Sequence, residues 1–292
     1  MSLNRTLMLQ RLLEAATSDS RIVGLVNYGS SSEGRADAWS DVDVALFIRE
    51  ADFNDFNRGW KAWAARLGDL LLAFPGVADH PWTVYDAEPL PLRVDFNFYP
   101  ASAIPEMLTW PNSPTSVDAI VLYDETGGEI SAHAGKLVGR NLGPEDLAGA
   151  FERVCGGFWY YLLRTETAVR RGEHWSARFG YTTMVTGNLC ALLRLEAGAM
   201  GRWQASDAAA GIEGAISPSR LAQLNACIPG PEAGNLRPAM LNATRLGTSV
   251  CSALAARHGW PWPDRLAQRT LDFLQKEITG VSGGSPGLLH RS

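Results

Sequence analysis

Apolar and polar residues follow two different periods along this chain, and the change falls near its middle. In the first half, Leu7, Leu9, Leu12 and Leu13 form a helical stripe, and "RIVGLVNYG" then reads as a short buried strand ending at a glycine. "SDVDVALFI" is a second strand, with period-two alternation at its start. The run "FNDFNRGWKAWAARLGDLLLAF" predicts one helix, closed by Pro75-Gly76. "WTVYDAE", the turn-rich "PLPL" and the strand "RVDFNFY" follow, then a short Pro-bounded helix near Ile104 to Leu108. "SVDAIVLYDETGG" reads as a further strand and turn.

From about residue 144 the pattern is helical throughout. "GPEDLAGAFERVCGGFWYYLLRTETAVRRGE" opens with Gly-Pro and two acids, a helix-start signature, and keeps apolar spacings of three and four. "SARFGYTTMVTGNLCALLRLEAGAM", "SPSRLAQLNACI", "RPAMLNATRLGTSVCSALAARHG" and "PDRLAQRTLDFLQKEI" continue as helices between short Pro/Gly breaks. The expected class is α+β: a mixed β-sheet flanked by helices over 1–142, an all-helical bundle over 143–280, and a flexible Gly/Ser-rich tail over 281–292.

Composition narrows the function. A chain of 292 residues has room for two cores, and 46% hydrophobic with 20% charged residues is ordinary for a globular protein. No apolar run reaches the roughly 20 residues of a membrane span. The first 20 residues carry charges within the apolar pattern, which predicts an amphipathic helix rather than a signal peptide. A net charge of −5 argues against nucleic acid as the main partner. Cys155, Cys190, Cys227 and Cys251 show no C-x-x-C spacing and read as reduced thiols of a cytoplasmic protein. The five histidines likewise lack ligand spacing.

The chemistry concentrates in "NYGSSSEGRADAWSDVDVALF". Side chains two apart on a strand share a face, so Asp41 and Asp43 project together while Val42 and Val44 turn to the core. Strands disfavour such a pair, and a divalent cation removes its repulsion. Mg²⁺ suits the task because it takes carboxylate and phosphate oxygens. Asp95 in "RVDFNFY", on one face with Arg93 and Asn97, offers the third carboxylate. Two ions roughly 3.5–4 Å apart would then serve an in-line displacement with pyrophosphate as leaving group. Gly29 permits a tight turn and Ser30 adds a hydroxyl, so the turn can hold a triphosphate. A capping Asp41 and a solvated Asp43 would explain an isolated D-V-D, but not the whole constellation. A P-loop is excluded, since Arg35-Ala36 stands where Lys-Ser/Thr is required.

With these residues the chain resembles a nucleotidyltransferase of the polymerase-beta superfamily and, within it, the antibiotic nucleotidyltransferases of the lincosamide and aminoglycoside classes, most closely the larger lincosamide enzymes. "YGSSSEGRADAWSDVDV", "RVDFNFY", "VLYDETGG" and "RRGEHWSA" carry the resemblance. It implies Gly29 and Ser30 as the nucleotide-phosphate turn and Asp41, Asp43 and Asp95 as metal ligands, with Asp95 also as general base. It implies two Mg²⁺ ions, ATP or another nucleoside triphosphate, a small hydroxyl-bearing acceptor and a homodimer. The lincosamide enzymes can carry Glu at the third position; here all three acids are Asp.

Several residues keep two readings. Arg170 and Arg171 either complement a helix C-terminus capped by Gly172 or reach a triphosphate or substrate. Glu173 is a rival to Asp95 as base, because some aminoglycoside enzymes take theirs from the helical domain. Arg35 is either a phosphate contact or a solvated loop residue. Asp124 fits ordinary turn chemistry. Trp39 is placed to pack on a base or close the loop, and "FWYY" (158–161) must leave at least one ring off the core face. The leading expectation is transfer of AMP from ATP to a hydroxyl of a lincosamide or aminoglycoside. A protein-modifying, AMP-adding enzyme is the alternative, disfavoured by the attached helical half. A degenerate nucleotide-binding module ranks last, because all three acids are present.

Overall fold

A computed structural model describes residues 2–76, 80–204 and 207–280. The expected tail lies outside them. The chain divides into two compact units, Met1–Asn141 and Leu142–Ser292.

In the first unit, a six-stranded sheet has the order β3-β4-β5-β2-β1-β6: β1 (Ile22–Asn27), β2 (Val42–Ile48), β3 (Leu70–Pro75), β4 (Pro81–Tyr85), β5 (Leu92–Pro100) and β6 (Val121–Asp124). β2 and β5 run parallel, and every other neighbouring pair is antiparallel. The sheet is therefore mixed, as the α+β reading expects. β1 and β2 are the most apolar strands because both of their faces are covered. On one face lie α1 (Arg5–Ser18), through Met8, Leu12 and Ala16, and α2 (Phe53–Ala64), through Phe56, Trp60 and Trp63. On the other, α4 (Glu129–Leu137) and a 3₁₀ segment at Ala101–Thr109 cover Val23, Val26, Ala45 and Phe47.

The run 53–74 is not one helix. Its helical spacing ends at Ala64, whose carbonyl accepts from the Tyr85 hydroxyl at 2.9 Å, and Leu70–Pro75 instead pairs with β4 as an edge strand. The apolar "LLLAF" suits either conformation, and the free edge of β4 decides the matter. "SVDAIVLYDETGG" likewise begins with one helical turn, α3 (Val117–Ile120), because Ser116 Oγ accepts from Ala119 N at 3.1 Å. Only then does it become β6.

The second unit is helical: α5 (Leu147–Arg170), α6 (His174–Gly180), α7 (Thr186–Ala197), α8 (Pro218–Asn225), α9 (Leu236–His258) and α10 (Asp264–Gly280). α6 and α7 are joined by a π-helical turn, Tyr181–Val185, where a single helix was expected. The buried Tyr181 hydroxyl lies 2.7 Å and 2.9 Å from the carbonyl oxygens of Cys227 and Ala239. Phe158, Trp159 and Leu162 of α5 meet Leu189 and Leu193 of α7 and Leu246, Val250 and Leu254 of α9 in one core. The four cysteines are free and buried, with Cys155 Sγ 3.6 Å from Cys251 Sγ. Among the described residues no helix is long and apolar enough to cross a membrane.

Close packing makes one glycine diagnostic. A Cβ on Gly247 would lie 2.6 Å from Cζ of the fully buried Phe158 ring. Gly247→Ala should therefore destabilise the second unit by about 1–2 kcal/mol in urea unfolding, overpacking outweighing the better helix propensity. Adding Phe158→Leu should recover part of that loss.

Candidate active site

β2 and β5 assemble the acids. On β2, Val42, Val44 and Leu46 enter the core beneath α1 and α2, so Asp43 falls on the opposite face, in line with Ala45 and Phe47. On β5, Val94, Phe96 and Phe98 are buried, leaving Asp95 and Asn97 on that same face. The parallel register sets Asp95 directly opposite Asp43. Asp41 stands just before β2, and one carboxylate oxygen from each of Asp41, Asp43 and Asp95 lies within 4.8 Å of the others. Burial, then Asp41 and Asp95, pushes the Asp43 carboxyl up to about 7. Burial, then Asp41, pushes Asp95 up to about 6. An all-oxygen, all-anionic donor set under this repulsion fits a hard divalent cation.

The Gly-Ser turn lies against these acids. Gly29 has φ of +65°, and a Cβ there would come 2.5 Å from Asp43 Oδ2. Only glycine brings the backbone this close. Arg35 N donates to Ser30 O at 2.8 Å, and Thr115 N donates to Ser32 O at 2.9 Å, which pins the turn to the segment after Trp110. The Ser30 hydroxyl has no hydrogen bond among the described residues. Arg35 pairs with Glu33, whose other oxygen accepts from Ser113 N at 3.1 Å. Its guanidinium is thus held within the loop.

Behind the acids, Asn97 Nδ2 donates to the Tyr28 hydroxyl. Tyr28, Phe47, Tyr99 and Trp110 pack with ring centroids 5.6–6.2 Å apart and give the acidic face a stiff floor. Trp39, 68% exposed, projects from the loop before Asp41. Two arginines that the sequence patterns did not single out for the site also reach it. Arg93 Nη2 lies 2.8 Å from Asp41 Oδ2, and Arg5 Nε donates to Asp41 O at 3.3 Å. Arg93 already shared a face with Asp95 in the strand alternation. Nothing local marked Arg5, which comes from α1, 36 positions away from Asp41.

The remaining candidates belong to the second unit. Arg170 pairs with Glu166 and Glu277, which Arg237 also joins, so it is committed to binding α5 to α9 and α10. Arg171 and Glu173, with Arg164, Tyr161, Thr183 and Phe179, line a cavity of about 360 Å³. Of the "FWYY" rings, Phe158 and Trp159 are core, Tyr160 is exposed and Tyr161 faces this cavity. Asp124 accepts from Thr126 and Ser131 at the start of α4, as turn chemistry requires.

A family model described as streptomycin adenylyltransferase matches residues 4–277 of the chain. The chain belongs to that family. It is accordingly a nucleotidyltransferase, and its resemblance to the antibiotic nucleotidyltransferases holds at family level. Among solved structures, an aminoglycoside 6-adenyltransferase from Bacillus subtilis is similar with a TM-score of 0.44 and 13% identity, over 97% of this chain and 100% of that one. No curated protein sequence matches.

The raised carboxyls of this adenylyltransferase-family chain set a pH dependence. An unfolded Asp loses its proton near pH 4, whereas Asp95 and Asp43 keep theirs to about 6 and 7 in the folded state. Between these limits the native chain holds more protons, so stability falls as pH rises from about 4 to 7. With divalent ions chelated, the melting midpoint should drop across this window. Asp43→Asn should remove most of the drop and leave the chain about 2 kcal/mol more stable at pH 8, read by calorimetry or circular dichroism.

Proposed function

We propose that this protein transfers AMP from ATP to a hydroxyl of an aminoglycoside, releasing pyrophosphate. One observation carries the reading: Asp95 sits in register with Asp43 across two parallel strands, with Asp41 beside them and the bare Gly29 backbone against Asp43. The family supports adenylyl transfer and favours an aminoglycoside over a lincosamide as acceptor.

The residues then divide the work. Gly29 and the Ser30 hydroxyl receive the triphosphate, because the turn brings backbone and a free hydroxyl to one place. Asp41, Asp43 and Asp95 would hold Mg²⁺, which when bound neutralises phosphate charge and stabilises the departing pyrophosphate. The acceptor oxygen forms a bond to the α-phosphorus as the α–β phosphoanhydride bond breaks, and its proton passes to an Asp95 carboxylate oxygen. Asp95 stands opposite Asp43 in the acidic cluster, so its carboxylate is beside the atoms that would react. Asp95 is preferred to Glu173 as base because it stands in the acidic cluster itself. Arg35 is less available to phosphate because Glu33 holds it; Arg171 and Arg164 line the second unit's own cavity, where two guanidinium groups suit an anionic ligand.

Pyrophosphate release with ATP and Mg²⁺ tests the proposal, with streptomycin and a lincosamide as separate acceptors. Streptomycin should support release and the lincosamide should not. Asp43→Asn and Asp95→Asn should each cost on the order of 10³-fold in kcat. Full activity of Asp95→Asn with loss in Glu173→Gln would move the base to Glu173. Absence of acceptor-dependent release with any aminoglycoside would overturn the reading.

A further inference from the structure

We propose that Arg5 is a positioning residue of the nucleotide turn, acting through the Ser31 hydroxyl and the backbone at Asp41; the assignment rests on the nucleotide reading above. Arg5 is the first residue of α1, and that helix start is fixed because Asn4 Oδ1 accepts from Leu7 N at 3.0 Å. Met8, Leu12 and Ala16 seat the helix in the core, and Arg11 Nη1 donates to Leu67 O at 2.8 Å. The Arg5 guanidinium therefore extends from a rigid base. Its Nη2 donates to Ser31 Oγ in the turn, while its Nε donates to Asp41 O at the head of the acidic strand. One planar group so ties together the two segments whose spacing the site depends on.

The consequence lies in the hydrogen bonding of Ser31. Arginine has donors only, and Asn27 Nδ2 also donates to Ser31 Oγ, at 2.6 Å. Both lone pairs of the hydroxyl are then engaged, and its hydrogen is left to donate. Among the described residues it has no acceptor. Asn27 is only 4% exposed, and its Nδ2 is committed to Ser31 while its Oδ1 has no partner among the described residues. Two fixed donors thus orient a third donor, immediately after Gly29 and Ser30. A phosphate oxygen, which only accepts, is its complement. Burial lowers the Arg5 pKa, and the nearby Asp43 and then Asp41 offset part of that cost.

Arg5→Lys keeps the charge but loses the planar, two-acceptor geometry. Ser31→Ala removes the directed donor from a turn outside the core. The full chain with Mg²⁺ and N-methylanthraniloyl-ATP reports affinity, and steady-state assays separate KM for ATP from kcat. Each single variant should weaken nucleotide binding about tenfold, with KM rising more than kcat falls, at an unchanged melting midpoint. The double variant should be no more than about twofold weaker than either single, because Arg5 acts on nucleotide through the hydroxyl that Ser31→Ala removes. Wild-type affinity in either single variant, or losses that multiply in the double, overturns the assignment while leaving the nucleotide reading intact. A wild-type chain that binds no nucleotide overturns that reading, and this assignment with it.

Discussion

The first unit is organised around an electrostatic cost. The register between β2 and β5 places Asp43 opposite Asp95, and the chain direction before β2 adds Asp41. Burial and mutual repulsion hold protons on two of these groups to near-neutral pH. A sheet selected for stability alone would not keep such a cluster, because each strand already has a full apolar face to bury. The apolar residues of β2 and β5 supply the stability that permits it. Val42, Val44, Val94 and Phe96 on the other face lock the register, and a one-residue slip would exchange acids for core residues.

Around that cluster the structure restricts motion. Tyr28, Phe47, Tyr99 and Trp110 make a floor of interlocking rings, and Asn97 fastens the Tyr28 hydroxyl to β5. The Gly-Ser turn is tied on both sides, to the segment after Trp110 through Ser32 and to α1 through Ser31. Such support matters because electrostatic stabilisation of a transferring phosphoryl group depends on groups already in place. In the second unit, Arg170, Arg237, Glu166 and Glu277 lock three helices and leave Arg171 to the cavity.

The acids and the glycine turn were legible because they violate local rules. Two aspartates flanking a valine at the start of a strand and a glycine before a serine-rich loop stand out against propensity, so the motif could be read without neighbours. The alternation of "RVDFNFY" gave the face of Asp95 for the same reason. The misreading of residues 70–74 as helix has the opposite cause. "LLLAF" breaks no rule in either conformation, and only its neighbour β4 offers hydrogen-bond partners along its length.

Local sequence thus determined most element types and marked the chemistry, since the Gly29–Asp43 motif and the alternation around Asp95 can each be read from a short stretch. Tertiary structure alone decided the partners. It paired Asp43 with Asp95, separated the structural Arg170 from the cavity-lining Arg171, and brought Arg5 to Ser31 and Asp41. These contacts join positions far apart in the chain, and no periodicity records them. They exist because a hydrogen bond or an ion pair depends on distance in space, which the packing of α1, β2 and β5 on a shared core sets.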